Sequence, residues 1–336
     1  MSKRRYAAAI SAPIFLTFAI ISATAAPATS APMFTSQSWL IPGAKSAEGI
    51  AMGEGSTFFA GDEFGADIYR GDMTTGHISK FIDVPDGILD SPNGPDGPAG
   101  TKMAVGMKVD TAHNLLFVAG GLDGTARVYD TDTGAKVADF VLDEGGGIND
   151  VALNAAGAWF TDSYKSQLYF IPVNGNGQVQ SPQTLALSGP AADTSGAFNN
   201  NGIAVAPDGS LIVDHTGQGS LNKVDPVTGA SSTIPGVSLP NGADGMIRKG
   251  ETLYVAHAYS HEIAEVRLRM DTQGHVAGGR LIRRIQSSDF HTPTTIGLFG
   301  NQLAVVNSHI LNETTGQVEL PSTSSHFEVV SMDLNP

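Results

Sequence analysis

Four residues with oxygen-bearing side chains, Glu48, Asn149, Asn201 and Asp244, each stand at the head of a short apolar run. The flanks read Glu48-Gly49-Ile50, Asn149-Asp150-Val151, Asn201-Gly202-Ile203 and Asp244-Gly245-Met246. Two carboxylates and two amides suit a hard divalent cation, calcium above all, which takes about six to eight oxygen ligands and accepts water among them. Another divalent cation would fit the same donors. Four protein oxygens leave coordination positions for water or substrate, and a cation there would polarise a substrate carbonyl. Asp244, beside such a position, could take a proton from water as general base or attack the carbonyl itself.

Such residues are far apart in sequence and must be gathered by the fold. Two further positions share their register, Val105 before Gly106-Met107 and Thr294 before Thr295-Ile296, so that six copies recur at intervals of 43 to 57 residues. A repeat of this length, with up to four short strands in each copy, predicts an all-β fold, a six-bladed β-propeller with four-stranded antiparallel blades. The start of each innermost strand then faces the central axis. Blades three and five show only three clear strand runs each. Blade six lacks its fourth strand, which 37–41 from the other end of the domain is expected to supply, closing the ring. Strand direction places the second-strand ends on the axial face, and the pocket is expected to be walled by Asp162, His215, His257 and Asn307, with His291 at its rim. The connecting segments 86–100 and 188–200 are expected to arch over it, since loops carry function on rigid scaffolds.

Residues 1–25 read as a signal peptide: a basic start at Lys3, Arg4 and Arg5, an apolar stretch over 7–21, and Ala23-Thr24-Ala25 before the cleavage site. The stretch is too short and too rich in Ala and Ser for a membrane span. A disordered linker over 26–36 and a single propeller domain over 37–336 are expected, in a protein that is secreted or periplasmic. The chain has no cysteine and a net charge of -14. Disulfides and thiolate metal sites are therefore excluded, and nucleic acid is disfavoured as a partner. Asp130-Thr131-Asp132-Thr133-Gly134 resembles the start of a calcium-binding loop but has Val141 where the twelfth-position Glu would stand, so it reads as a hairpin turn. Neither a Gly-x-Ser-x-Gly nucleophile elbow nor a His-Glu-x-x-His zinc motif occurs.

The order Glu48-Gly49, Asn149-Asp150, Asn201-Gly202 followed by Ala206-Pro207-Asp208-Gly209, and Asp244-Gly245 resembles the SMP-30/gluconolactonase/LRE-like family over roughly residues 48–307. The resemblance implies a propeller with an axial calcium ion and lactone hydrolysis. It implies Glu48, Asn201 and Asp244 as metal ligands, Asp244 as general base, and Asn149 as a pocket residue or fourth ligand. One departure matters: sugar-lactonase members place an arginine two residues before the position of Asn149, and here Gly147 stands there. Phosphotriesterases resembling diisopropyl-fluorophosphatase use a similar ion. The expectation is an exported, monomeric, calcium-dependent hydrolase of a small-molecule lactone or ester less polar than a sugar lactone. The rival expectation is a non-catalytic propeller that binds a ligand or protein around a structural ion. A cavity that reaches the axial residues separates the two.

Overall fold

Six four-stranded antiparallel sheets are arranged as blades in chain order, each running from an inner to an outer strand. The structure is a computed structural model and describes residues 34–85, 87–90, 101–310 and 326–335. The expected signal peptide, most of the segment 86–100, and all but the last residues of the expected linker lie outside these. The blades begin with the inner strands Ile50–Met52, Met107–Asp110, Ile148–Asn154, Asn200–Val205, Ala243–Lys249 and Pro293–Phe299. The sixth blade takes its outermost strand, Ser36–Leu40, from the start of the domain. It pairs antiparallel with Glu328–Asp333, one residue from the expected position. Phe34 is buried and packs with Phe290 and Leu334.

Burial follows strand rank within a blade. Second strands such as Leu115–Ala119 are buried at every position, because both faces meet a neighbouring blade, and they read as unbroken apolar runs. Outer strands such as Lys136–Val141 alternate toward solvent. The hydrophobic core is accordingly divided into six clusters, each filling the gap between two adjacent blades. Phe117 meets Phe160 between blades two and three, and Ile50 meets Val306 and Val329 between blades one and six. Trp39, on the closing strand, stacks on Phe58 of blade one with ring centroids 6.4 Å apart.

The outer hairpins repeat one device. Asp72, Asp130 and Asp225 each accept hydrogen bonds from backbone N–H groups two or three residues on. Gly76, Gly134 and Gly229, four residues on, take the left-handed conformation that ends the turn. The run 130–134 is thus a hairpin turn, as its sequence implies.

Candidate metal centre and substrate cavity

The residues heading the inner strands are aimed by β-bulges. In blade three Ile148 pairs with Asp162 and Val151 with Phe160, so Asn149 and Asp150 together oppose the single residue Thr161. The same slip sets Asn201-Gly202 against Asp214, Asp244-Gly245 against Ala256, and Thr294-Thr295 against Val306. In blade one Glu48 N–H donates to Gly61 O and Gly61 N–H to Gly49 O, again two residues against one. A bulge adds one residue and re-aims a side chain. The glycine in its second position is a matter of space. A Cβ on Gly49 would stand 2.0 Å from the carbonyl oxygen of Val105, and one on Gly202 would stand 2.3 Å from that of Asp244. In blades one, two, four and five that glycine abuts the backbone of the next blade's axial residue.

All six axial residues line one cavity of about 320 Å³. The Thr294 hydroxyl donates to Glu48 O at 3.0 Å, tying the sixth axial position to the first. The other polar members carry oxygens without a hydrogen-bond partner among the described residues: Glu48 Oε2, Asn149 Oδ1 and Asn201 Oδ1. The amide of Asn149 is oriented by its NH2, which donates to Ser163 Oγ at 3.0 Å and leaves the oxygen unpaired. Asp244 accepts the Gly245 N–H at 2.9 Å and a side-chain hydrogen bond from Asn201. Glu63, unforeseen in the sequence, lines the same cavity. It is partly exposed as a residue, yet its Oε2 is shielded and unpartnered.

Electrostatics at this floor are lopsided. Burial pushes Asp244 up to about 7, against the pull of the Gly245 hydrogen bond. Burial, then the charges of Asp244 and Asp62, push Glu63 to about 8. Glu48 is raised well above the carboxylate range by burial and by Asp244, Glu63 and Asp150, with Lys108 pulling the other way. Burial and Asp244 raise Asp214 likewise. The nearby ammonium of Lys108 lies 3.6 Å from Asp150 Oδ1, an ion pair too long to be a hydrogen bond. Carboxylates concentrated in a shielded site need protons or a cation to persist. Among the described residues no three acidic or histidine side chains form a metal cluster by themselves. The donor set here depends on the two asparagine amides as well, which is the mixture a calcium ion takes and a zinc ion does not. Glu48, Asn149, Asn201 and Asp244 therefore fit the ion the sequence pattern implies.

The second-strand ends are placed otherwise. Asp162, His215, His257 and Asn307 pair opposite Ile148, Asn200, Ala243 and Pro293 and do not line the cavity. Asp162 accepts the N–H groups of Gly147 and Tyr164 at 3.0 and 2.9 Å. Asn307 accepts that of His291 at 3.0 Å and donates to Glu328 at 2.6 Å. Their work is to lace the strand's exit to the incoming chain of the same blade. His215 and His257 are fully buried, and burial lowers His257 to about 4. His291 stacks on His309 with ring centroids 5.2 Å apart, also off the cavity wall. The wall is built by the next residues along, Ser163, Thr216 and Ala258, with Glu63 after Asp62 in blade one. Side chains alternate along extended backbone, so a nomination that stops one residue short faces the wrong side. Continuing the alternation one step past Gly61-Asp62 would have reached Glu63.

No family model matches the chain, and no curated protein matches it. Solved structures do. Regucalcin from Agrobacterium tumefaciens, a calcium-binding protein, is 17% identical, with 89% of this chain and 95% of that one covered and a TM-score of 0.56. Luciferin-regenerating enzyme is 13% identical, covering 90% and 96%, with a TM-score of 0.57. Virginiamycin B lyase from Staphylococcus aureus is 12% identical, covering 90% and 99%, with a TM-score of 0.54. At these identities the likeness is one of fold. The chain shares along most of its length the β-propeller of regucalcin and luciferin-regenerating enzyme, the fold its axial motifs imply.

Proposed function

We propose that this protein is an exported, monomeric, calcium-dependent hydrolase of a small lactone or ester. One observation carries the reading. Unpartnered oxygens of Glu48, Asn149 and Asn201 stand with the Asp244 carboxylate on the floor of a cavity that admits a small molecule. A purely structural ion has no need of such access. A cavity of about 320 Å³ lies at the low end of the range for small-ligand sites.

A bound calcium ion supplies Lewis-acid polarisation of a carbonyl at this floor. The protein's own part falls to Asp244. Its carboxylate lines the cavity, where it is placed to act as general base on a water. It takes a proton from a water directed at the carbonyl and returns it to the departing alkoxide, so that the carboxylate is regenerated. Asn149, whose NH2 donates to Ser163 Oγ, and Asn201, whose side chain hydrogen-bonds Asp244, keep the floor's geometry fixed through the cycle.

The test is hydrolysis of a panel of lactones, aryl esters and one organophosphate by wild type and Asp244→Ala, each with calcium and with chelator. Turnover of a lactone or ester that disappears on chelation and in Asp244→Ala is expected. Absence of turnover on every substrate, with chelation lowering only the melting temperature, would leave a binding propeller with a structural ion. Turnover of the organophosphate alone would replace the carbonyl by a phosphoryl centre.

A further inference from the structure

Above the polar floor, every sector of the ring contributes a large apolar side chain to the cavity wall, among them Phe64, Leu122, Tyr164, Phe198, Tyr259 and Ile310, in blade order, with Phe198 on the segment leading into blade four. Leu122, Phe198 and Tyr259 are 50%, 45% and 46% exposed and share the wall of one cavity, where exposed apolar residues grouped together mark a binding surface. Tyr164 and Phe198 face each other with ring centroids 5.8 Å apart and a tilt of 41°.

Two glycines shape this collar. A Cβ on Gly147 would lie 2.9 Å from the Tyr164 ring, and one on Gly242 would lie 2.7 Å from the Tyr259 ring. Each glycine stands two residues before an axial residue, Asn149 or Asp244, and each tyrosine follows a second-strand end by two. The room that a long side chain at 147 would need is filled by the Tyr164 ring. No lysine, arginine or histidine stands among the described residues that line the cavity, while Glu48, Glu63 and Asp244 do. Among the described residues of the wall, no side chain offers a positive charge to a carboxylate. Four aromatic rings can hold a flat apolar body.

We infer that the collar selects a neutral lactone or ester bearing an aromatic ring, with Tyr164 as a specificity-determining residue that packs on that ring. The inference rests on the hydrolytic reading of the floor for its carbonyl but on the collar for its body. By the same wall, polyhydroxylated lactones and substrates with a free carboxylate are expected to be the poorer substrates.

Dihydrocoumarin, a neutral aromatic lactone, and a polyhydroxylated six-carbon lactone are the substrates to compare, on calcium-loaded wild type, Tyr164→Ala and Tyr164→Phe. Binding of 2-tetralone, in which the ring oxygen of dihydrocoumarin is replaced by carbon so that it cannot be hydrolysed, is measured on the same proteins by calorimetry. The expected result is a kcat/KM for dihydrocoumarin at least a hundredfold above that for the polar lactone. Tyr164→Ala raises KM for dihydrocoumarin and weakens 2-tetralone about ten- to hundredfold with kcat little changed, the size of effect a hydrophobic contact supplies. Tyr164→Phe, which keeps the ring, restores both. Tight 2-tetralone binding that depends on Tyr164, without any turnover, would sustain the collar and overturn the hydrolase. Equal turnover of both lactones with Tyr164→Ala silent would overturn the collar and sustain the hydrolase. Neither binding nor turnover would overturn both.

Discussion

The six axial positions are equivalent in the backbone and unequal in chemistry, and the inequality is open to direct test. Asp244 presents a carboxylate to the cavity, so Asp244→Asn keeps the shape and removes the base. Turnover should fall on the order of 10²–10⁴-fold, measured as kcat at saturating calcium. Thr294 lines the same cavity with its hydroxyl already committed to Glu48 O. Thr294→Val should leave calcium affinity within about twofold and cost about 1 kcal/mol in denaturant unfolding, the worth of one buried hydrogen bond. Glu63 discriminates further. If its shielded, unpartnered Oε2 adds to the charge that holds the ion, Glu63→Gln weakens calcium about tenfold in a titration, since charge count tunes such sites. An unchanged affinity would place Glu63 outside the ion's reach.

At the scale of elements, the bulge explains both what the sequence reveals and what it hides. Asn-Gly and Asp-Gly ordinarily mark hairpin turns. Here the pair is required because one residue must face the axis while the next is jammed against a carbonyl oxygen, and only glycine leaves that room at Gly49 and Gly202. The glycine after Glu48, Asn201 and Asp244 therefore made these three axial positions legible in residue types, while Asn149, followed by Asp150, rested on its register alone. Second strands were legible because burial on both faces demands apolar runs, as in Leu115–Ala119. The outer strands Gln183–Ala186 and Val276–Gln286, which complete blades three and five, were not picked out, because one face meets solvent and the apolar signal is halved. The cavity wall escaped for a different reason. Ser163, Thr216 and Glu63 follow the strand ends, and the nominated residues stop one short of the side chains that alternation turns toward the cavity. Gly202→Ala tests the bulge. Its Cβ would meet the Asp244 carbonyl at 2.3 Å, so about 1–3 kcal/mol of stability should be lost together with calcium affinity. Gly209→Ala, at a turn with open space and a φ of +82, should cost about 1 kcal/mol and leave the affinity alone.

For the molecule as a whole, the ring is held by six inter-blade layers and one closing strand, and its axis is where like charges meet. The chain's net charge of -14 adds to that repulsion. Asp244 and Glu63, raised to about 7 and about 8 in the folded protein, return to the ordinary range near 4 when it unfolds. A carboxyl whose folded value is the higher one favours the folded state while protonated. Its contribution is full below about pH 4 and is lost as the pH rises through the folded values. The ion-free protein should therefore lose stability between about pH 5 and pH 8. His257, lowered to about 4, acts in the opposite sense, adding stability as pH rises through its unfolded value near 6.5. It is the same with or without calcium, so the difference between the two melting curves isolates the floor. Calcium competes with protons for those oxygens, and at a hundredfold excess over its dissociation constant it stabilises by about 2.7 kcal/mol. The melting temperature should rise roughly 5 °C or more on adding calcium at pH 8, and less than about 2 °C at pH 5. A rise of equal size at both pH values would mean that the ion sits on oxygens that carry no protons in this range, and the axial carboxylates would lose their claim to it.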